Sequence, residues 1–231
     1  MNAMERVFRA IEKATRGGRF KPRMRILYTL TDDTYSHLLF EAFIKYERKF
    51  PYVEIEVLFV DEGLGRDINS VRKFCEELDL KLNIVSFRDV FNVDLQHLQG
   101  SWIFPDKCFL CRYLKRLIMV QYMKNNGFDI VILGTYLERF IVNSILNLML
   151  KPGIINIFND YIAEPFRRVS LSDIRKIADD RGIKFKSFKC PLKSRIELTC
   201  EKYVNEVLDK GYFPKYAMAK GFEEVAKRIK P

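Results

Sequence analysis

Between residues 25 and 134, short apolar runs with the period of a strand alternate with longer segments whose apolar residues recur at helical spacing. "RILYTL" (25–30) reads as a buried strand, and "TYSHLLFEAFIKYERKF" (34–50) as a helix. "VEIEVLFV" (53–60) alternates like a strand, "INSVRKFCEELD" (68–79) is amphipathic, and "LKLNIVSF" (80–87) is a third strand. "RYLKRLIMVQYMKNNG" (112–127) then reads as a helix closed by Gly127, "FDIVILG" (128–134) as a buried strand, and "RFIVNSILNLML" (139–150) as another helix. Strands that are buried on both faces and separated by helical crossovers can close only one kind of core. The pattern therefore predicts an α/β chain with a doubly wound, mostly parallel sheet and a ligand crevice at the carboxyl ends of the strands.

From about residue 163 the pattern changes. "SLSDIRKIADDRG" (170–182) has a Ser N-cap at Ser170 or Ser172, an acid in its first turn and a closing Gly182, and predicts a short helix. "RIELTCEKYVNEVLDKG" and "KYAMAKGFEEVAKRIK" predict terminal helices that pack on the sheet domain as a small C-terminal helical appendage. The expected organisation is a basic N-terminal helix over 1–24, an α/β domain over 25–162 and a helical region over 163–231. At 231 residues the chain is long enough to build this core without disulfide staples. Its five cysteines, at 75, 108, 111, 190 and 200, suit a reducing cytoplasm. The first residues contain no apolar signal-like run, and "FIVNSILNLML" (140–150) is too short and too broken by Asn143, Ser144 and Asn147 to span a bilayer. The reading is cytoplasmic, with no membrane partner.

The net charge of +10 is segregated. Residues 26–106 hold eight Lys/Arg against fifteen Asp/Glu, whereas residues 163–231 hold seventeen against ten. Basic blocks of this kind favour a polyanionic partner such as tRNA or another structured RNA, because cations that neutralise phosphates release counterions. From Lys184 to Arg195 there are five cations and no acid, with Phe185 and Phe188 interleaved. That run suits phosphate contact and base stacking; a strand with its aromatics on the core and its lysines in water fits equally.

The sharpest local signal is Cys108-x-x-Cys111 followed by Lys115 and Arg116. Thiols at a helix start sit near backbone N–H groups, which favours the thiolate and hence metal ligation or redox chemistry. Cys108, Cys111 and Cys190 make three ligands; Cys200 or His97 would complete a zinc site, and three thiolates with an open position suit an iron–sulfur cluster. Trp102, Ile103 and Phe104 read as cover for a buried cluster, and His37 and His97 have no partner pattern.

The order of Cys108, Cys111, Lys115 and Arg116, then "FDIVILGT", then "EPFRRVSLSDIRKIADDRGIKFKSFKCP", resembles the cluster-dependent tRNA 2-thiolation enzymes, the TtcA/TtuA family of the PP-loop superfamily. The resemblance runs over roughly 25–195. It implies an adenine nucleotide alpha hydrolase-like fold and a [4Fe-4S] cluster on Cys108, Cys111 and Cys190, with the fourth iron free to bind the sulfur that is transferred to a tRNA base. It also implies a nucleotide and cluster environment near Lys115 and Arg116, and an acid at Glu138, where "GTYLER" stands in place of the family's G-H-x-x-D-D; from its own setting Glu138 reads as a surface helix carboxylate. Gly134 is retained there.

The family's phosphate loop, S-G-G-x-D-S, corresponds to "TDDTYS", so that Thr31, Asp32, Asp33 and Ser36 occupy the cofactor-binding positions. Two carboxylates in place of glycines repel a triphosphate and stiffen the loop, so binding of ATP and Mg is expected to be weak or absent, with one of Thr31, Asp32 and Asp33 capping the helix from 34. Three activities are compatible with this: a tRNA sulfurtransferase, a metal-stabilised RNA-binding module that does no chemistry, and ATP-independent cluster-based sulfur chemistry. Zinc is the alternative cofactor, the sulfur donor is unassigned, and a homodimer is compatible with the composition.

Overall fold

A computed structural model describes residues 2–15, 20–21, 23–47, 53–92, 95, 107–150, 160–207 and 212–228. Five strands form one sheet: β1 (Arg25–Thr29), β2 (Glu54–Asp61), β3 (Leu82–Ser86), β4 (Ile130–Leu133) and β5 (Ile162–Ala163). Their order is β3-β2-β1-β4-β5 and every pairing is parallel. The central strand matches Tyr28 to Val57 on one side and to Ile132 on the other. The chain reverses its direction of winding between β1 and β4, which makes the carboxyl ends of these two strands the crevice for a ligand.

Strand alternation divides the core. Ile26, Tyr28, Val57, Phe59, Ile130 and Ile132 face one layer. That layer is built by α1 (Ala3–Thr15), α2 (Thr34–Glu47), α3 (Ile68–Glu77) and α7 (Leu171–Asp180). Leu27, Leu58, Val60 and Val131 face the other, where α4 (Phe87–Phe91) and α5 (Lys107–Asn125) pack. The N-terminal basic helix thus lies on the face opposite α5. Ala3, Val7 and Ile11 make its buried stripe, and Arg6 Nε donates to Asp173 Oδ1 of α7 at 2.8 Å. The amphipathic stripe of α1 docks it on α2 and α7, away from the layer that holds the cysteine pair.

Ser170 is the N-cap of α7, as its sequence setting predicts, with its hydroxyl accepting from the Asp173 amide at 3.1 Å. The C-terminal helices α8 (Arg195–Lys202) and α9 (Tyr212–Arg228), joined through a π-helical turn at Tyr203–Val207, pack on α6 (Leu137–Leu150). Leu137, Ile141, Leu146, Cys200, Val204 and Ala219 form this third cluster. No helix among the described residues is long and apolar enough to cross a membrane. His97, Trp102, Ile103 and Phe104 lie outside the described residues.

Several buried polar atoms lack a hydrogen-bond partner among the described residues, and some belong to acids. Glu47, at the end of α2, is 5% exposed, and its Oε1 has no hydrogen-bond partner among the described residues. Burial pushes its carboxyl up to about 7. A folded-state pKa above the unfolded one means that stability is lost as pH rises from the unfolded to the folded value. Glu47→Gln is therefore expected to match the parent below about pH 4 and to exceed it by about 1–2 kcal/mol at about pH 8, after allowing for solvent screening. Urea midpoints at the two pH values measure the difference.

Candidate metal centre

The helix that carries the cysteine pair starts earlier than its periodicity suggests, at Lys107, so Cys108 and Cys111 lie at its amino end. α5 precedes β4 and runs against the strands, which places that end at the carboxyl edge of the sheet. Both thiols are buried, at 9% and 8% exposure, and Cys190 is half-buried in the same apolar layer as Cys111, beside Phe188 and Leu192.

Cys108 Sγ donates to Glu197 Oε2 at 2.5 Å, and Arg139 Nη1 holds the other oxygen of that carboxylate at 2.7 Å. Glu197 is placed by Ser194, which caps α8. Burial, seconded by Glu197, raises the Cys108 thiol well above its ordinary value, although Arg112 pulls the other way. Burial also pushes Cys111 up to about 12, against the pull of Lys115. The expectation that the helix start would favour the thiolates is thus corrected: without a metal, desolvation outweighs the nearby cations. Cys190 packs against the same apolar cluster as Cys111, although it lies 79 positions later in the chain.

Among the described residues, no three His, Cys, Asp or Glu side chains converge closely enough to hold one metal ion. A tetrahedral zinc with bonds of about 2.3 Å draws its sulfurs to within about 4 Å of one another. In an iron–sulfur cube each thiolate binds a different corner, so the ligating sulfurs stand farther apart. Three soft thiolate donors suit the iron of such a cube as well as zinc. Cys200 does not complete the set, being packed among Leu137, Ile141 and Val204, and Cys75 lies in the core of the opposite layer.

Beside the cysteines runs a chain of buried charges. Arg66 Nη1 contacts Asp32 Oδ1 at 2.6 Å and Asp33 Oδ2 at 3.1 Å, and its Nε reaches Glu62 at 3.3 Å. Lys115 also pairs with Glu62. Asp32 Oδ2 accepts from the Asp67 amide at 3.2 Å. Asp33 accepts from the Thr31 hydroxyl at 2.8 Å, from the Phe188 amide at 2.7 Å and from the Ser187 hydroxyl at 3.2 Å. Burial alone would raise the Asp33 carboxyl; Arg66, the Phe188 amide and Thr31 outweigh it and hold it below its ordinary value.

Asp33 stands at the N-cap position of α2, in line with the sequence reading, and its carbonyl accepts from the Ser36 amide at 2.9 Å and the His37 amide at 3.2 Å, but neither aspartate side chain caps the helix. Their side chains turn away from that helix toward Arg66, the start of α3 and segment 187–188. Thr31 does not cap it either; its amide is bound by Ser36 Oγ at 3.0 Å. Arg66 and Glu62 were not found from sequence. The signal for them is "DEGLGR" at 61–66, where Gly63 and Gly65 adopt φ of +74° and +79° and fold a turn that brings Arg66 back over Glu62.

Arg116 reaches Glu164 Oε1 at 3.1 Å, and the Thr135 hydroxyl donates to the same oxygen at 3.0 Å, so the ends of β4 and β5 are linked to α5. Gly134 is a close-approach position, since a Cβ there would sit 3.2 Å from the buried Tyr28 hydroxyl. Glu138 is not the surface helix carboxylate that its sequence setting suggests. It is 5% exposed, its Oε2 accepts from the Leu171 amide at the start of α7 at 2.8 Å, and its Oε1 pairs with buried Lys215 of α9 at 3.2 Å.

The 184–190 segment is neither strand nor helix. Its two aromatics are already engaged: Arg66 lies over the Phe188 ring at 4.2 Å and Arg175 over Phe185 at 5.5 Å. Lys186 pairs with Asp67 at 3.3 Å and Lys193 with Glu201 at 2.5 Å. Lys184, Lys189 and Arg195 are exposed and carry no ion pair among the described residues.

No family model matches the chain. Over 202 residues it is 23% identical to a probable sulfurtransferase of Methanocaldococcus jannaschii, an alignment covering 79% of this chain and 59% of that protein. Over 112 residues it is 29% identical to the tRNA-cytidine(32) 2-sulfurtransferase of Bdellovibrio bacteriovorus, covering 48% of this chain and 40% of the relative. The chain thus spans about half the length of these curated relatives. Among solved structures, the U34-tRNA thiolase NcsA of Methanococcus maripaludis, solved with its [4Fe-4S] cluster, superposes at a TM-score of 0.83 with 16% identity, over 99% of this chain and 80% of that one. The NH3-dependent NAD synthetase of Campylobacter jejuni superposes at 0.56 with 9% identity, over 99% and 94% of the two chains. The NMN synthetase of Francisella tularensis gives 0.59 with 11% identity, over 100% and 97%. The resemblance carried by the cysteine motif is borne out: by sequence the chain is similar to sulfurtransferases, and it is built on the PP-loop type of α/β fold that a U34-tRNA thiolase shares with NAD and NMN synthetases.

Proposed function

We propose that the chain is a tRNA sulfurtransferase-like iron–sulfur protein in which Cys108, Cys111 and Cys190 hold a [4Fe-4S] cluster. The observation that carries this reading is the arrival of Cys190, on an irregular segment, beside the first turn of α5 at the carboxyl edge of the sheet. The names of the sequence relatives and the cluster in the thiolase of the same fold support it. When bound, the cluster supplies an iron with a free coordination position at which sulfur can be held.

The chain's own residues do the rest. Arg112 and Lys115 offset the negative charge that develops when the Cys108 and Cys111 protons leave. Lys115 and Arg116 are held at the site's edge by Glu62 and Glu164, so neither swings freely. The partly buried Phe188, Leu192 and Tyr113 pack against the layer that holds Cys111 and limit the access of water to the sulfurs. Lys184, Lys189 and Arg195 offer free cations for the phosphates of a tRNA, in a reducing cytoplasm where thiols stay available.

Anaerobic reconstitution tests both halves of the reading. The parent is expected to carry about four irons per chain with broad visible absorption, and Cys190→Ala to lose the cluster while binding tRNA as before. Lys184→Gln with Lys189→Gln is expected to keep the iron and weaken tRNA binding, flattening its salt dependence by about one log–log unit per lost phosphate contact. A reconstituted parent without iron overturns the cluster reading, and an unchanged salt slope overturns the RNA face.

A further inference from the structure

In a doubly wound sheet, the turn between the first strand and the helix after it, at the point where the winding reverses, is where the backbone can receive a ligand's phosphate. Here that place is filled from within. Asp32 and Asp33 are 5% and 2% exposed, and Arg66, Thr31, Asp67, Ser187 and Phe188 supply their partners. The same turn grips the cysteine-bearing segment through its backbone. The Thr34 amide donates to Lys186 O at 2.9 Å, and Thr34 Oγ1 accepts from the Lys186 amide at 2.7 Å.

We propose that Asp33 is a positioning residue for the metal centre, an internal anion that replaces a ligand phosphate and clamps segment 184–190 so that Cys190 stands beside Cys108 and Cys111. The inference rests on the cluster reading for its purpose, but the clamp can be read without any metal. Asp33 Oδ1 takes the amide of Phe188, two residues before the cysteine, while Oδ2 takes Arg66, whose guanidinium plane covers the Phe188 ring. One carboxylate thus fixes the backbone direction at Phe188 and the charge that holds its side chain. A carboxylate is suited to this because it accepts on both oxygens and the amide and guanidinium both donate. On this proposal the Asp33 carboxylate competes with an anion from solution for the same donors, so phosphate is expected to bind here only once Asp33 is removed.

The metal-free parent, Asp33→Ala and the near-isosteric Asp33→Asn serve as the test, with far-UV circular dichroism to confirm that each folds. Alkylation of Cys190 by a maleimide, followed by mass spectrometry of the peptide, reads the clamp directly. Asp33→Ala is expected to raise the Cys190 rate about tenfold or more, since a buried charge-assisted hydrogen bond is lost, with Asp33→Asn between it and the parent. Alkylation of Cys75, in the opposite layer, should not change. Inorganic pyrophosphate should give no calorimetric heat with the parent; with an Asp32→Gly, Asp33→Gly double variant it should bind and slow Cys190 alkylation back toward the parent rate.

In anaerobically reconstituted protein, Asp33→Ala should retain less than half of the parent's iron. Equal Cys190 alkylation in parent and Asp33→Ala overturns the clamp, as does pyrophosphate binding by the parent. A parent without iron but with the expected alkylation pattern overturns the cluster reading alone. If Asp33→Ala fails to fold, Asp33→Asn carries the comparison, and parent-like alkylation there overturns the proposal.

Discussion

Replacing Arg66 with alanine is expected to destabilise the chain by about 3–5 kcal/mol at neutral pH, the loss typical of breaking a buried ion pair and leaving its partner uncompensated. Arg66 is the shared partner of Asp32, Asp33 and Glu62, all at most 5% exposed. Burial alone would raise Glu62; Lys115 and Arg66 hold it below its ordinary value, as Arg66 does for Asp33. Depressed carboxylate pKa values give stability that is present above the unfolded pKa and lost as pH falls through the folded one. In Arg66→Ala part of that depression is lost, while Lys115 still faces Glu62 and the Phe188 amide and Thr31 still face Asp33, so a fall in pH costs the variant less than it costs the parent. Urea midpoints should therefore converge as pH drops from about 7 toward about 4. A gap independent of pH would mean that the guanidinium acts through packing on Phe188 rather than through charge.

Glu138→Ala is expected to lower stability by a similar amount, about 3–5 kcal/mol, by another route. It leaves Lys215, 6% exposed, without that carboxylate and strips the Leu171 amide at the start of α7 of its acceptor. Glu138→Gln keeps an acceptor for the amide and should lose about 1–3 kcal/mol. Replacing both partners, Glu138→Leu with Lys215→Met, should recover much of the deficit, since a buried pair can often be exchanged for apolar groups of similar volume. Thermal unfolding of the four proteins ranks them, and a double variant no better than Glu138→Ala would rule out charge burial as the cause. Iron binding should be unchanged in Glu138→Gln, because Glu138 touches α7 and α9 rather than the cysteines.

What could be read in the chain beforehand follows the range of each signal. Strands such as "FDIVILG" and helices such as 170–182 declare themselves through local period and capping, and Ser170 caps as its spacing implies. The three cysteines stood out because thiols are scarce and two of them lie one helical turn apart. Asp32 and Asp33 were visible as a departure from a glycine loop, but their partners were not, because nothing within a few residues of them names Arg66 or Phe188. Glu138 looked like a surface carboxylate for the same reason. Its burial depends on Lys215, which is 77 positions away on a helix packed against α6. The thiol protonation was misjudged because the positive helix start is a local feature, whereas desolvation by the surrounding layer is not.

The strand order carries a consequence for the time course of assembly. β1 pairs with β2, some 30 residues later, and also with β4, more than 100 residues later, as Ile26 opposite Ile130 shows. Such distant pairings slow the search for the native topology. On a ribosome, β1, β2 and β3 can associate while β4 is still unmade, yet their exposed edge waits for Ile130–Leu133, and the layer above them waits for α7. Glu197, which holds the Cys108 thiol proton, and Cys190 itself emerge later still. Translation thus exposes the first two thiols tens of residues before the third, and a pause in synthesis between 111 and 190 would lengthen the interval in which Cys108 and Cys111 are open to oxidants or to a mismatched metal.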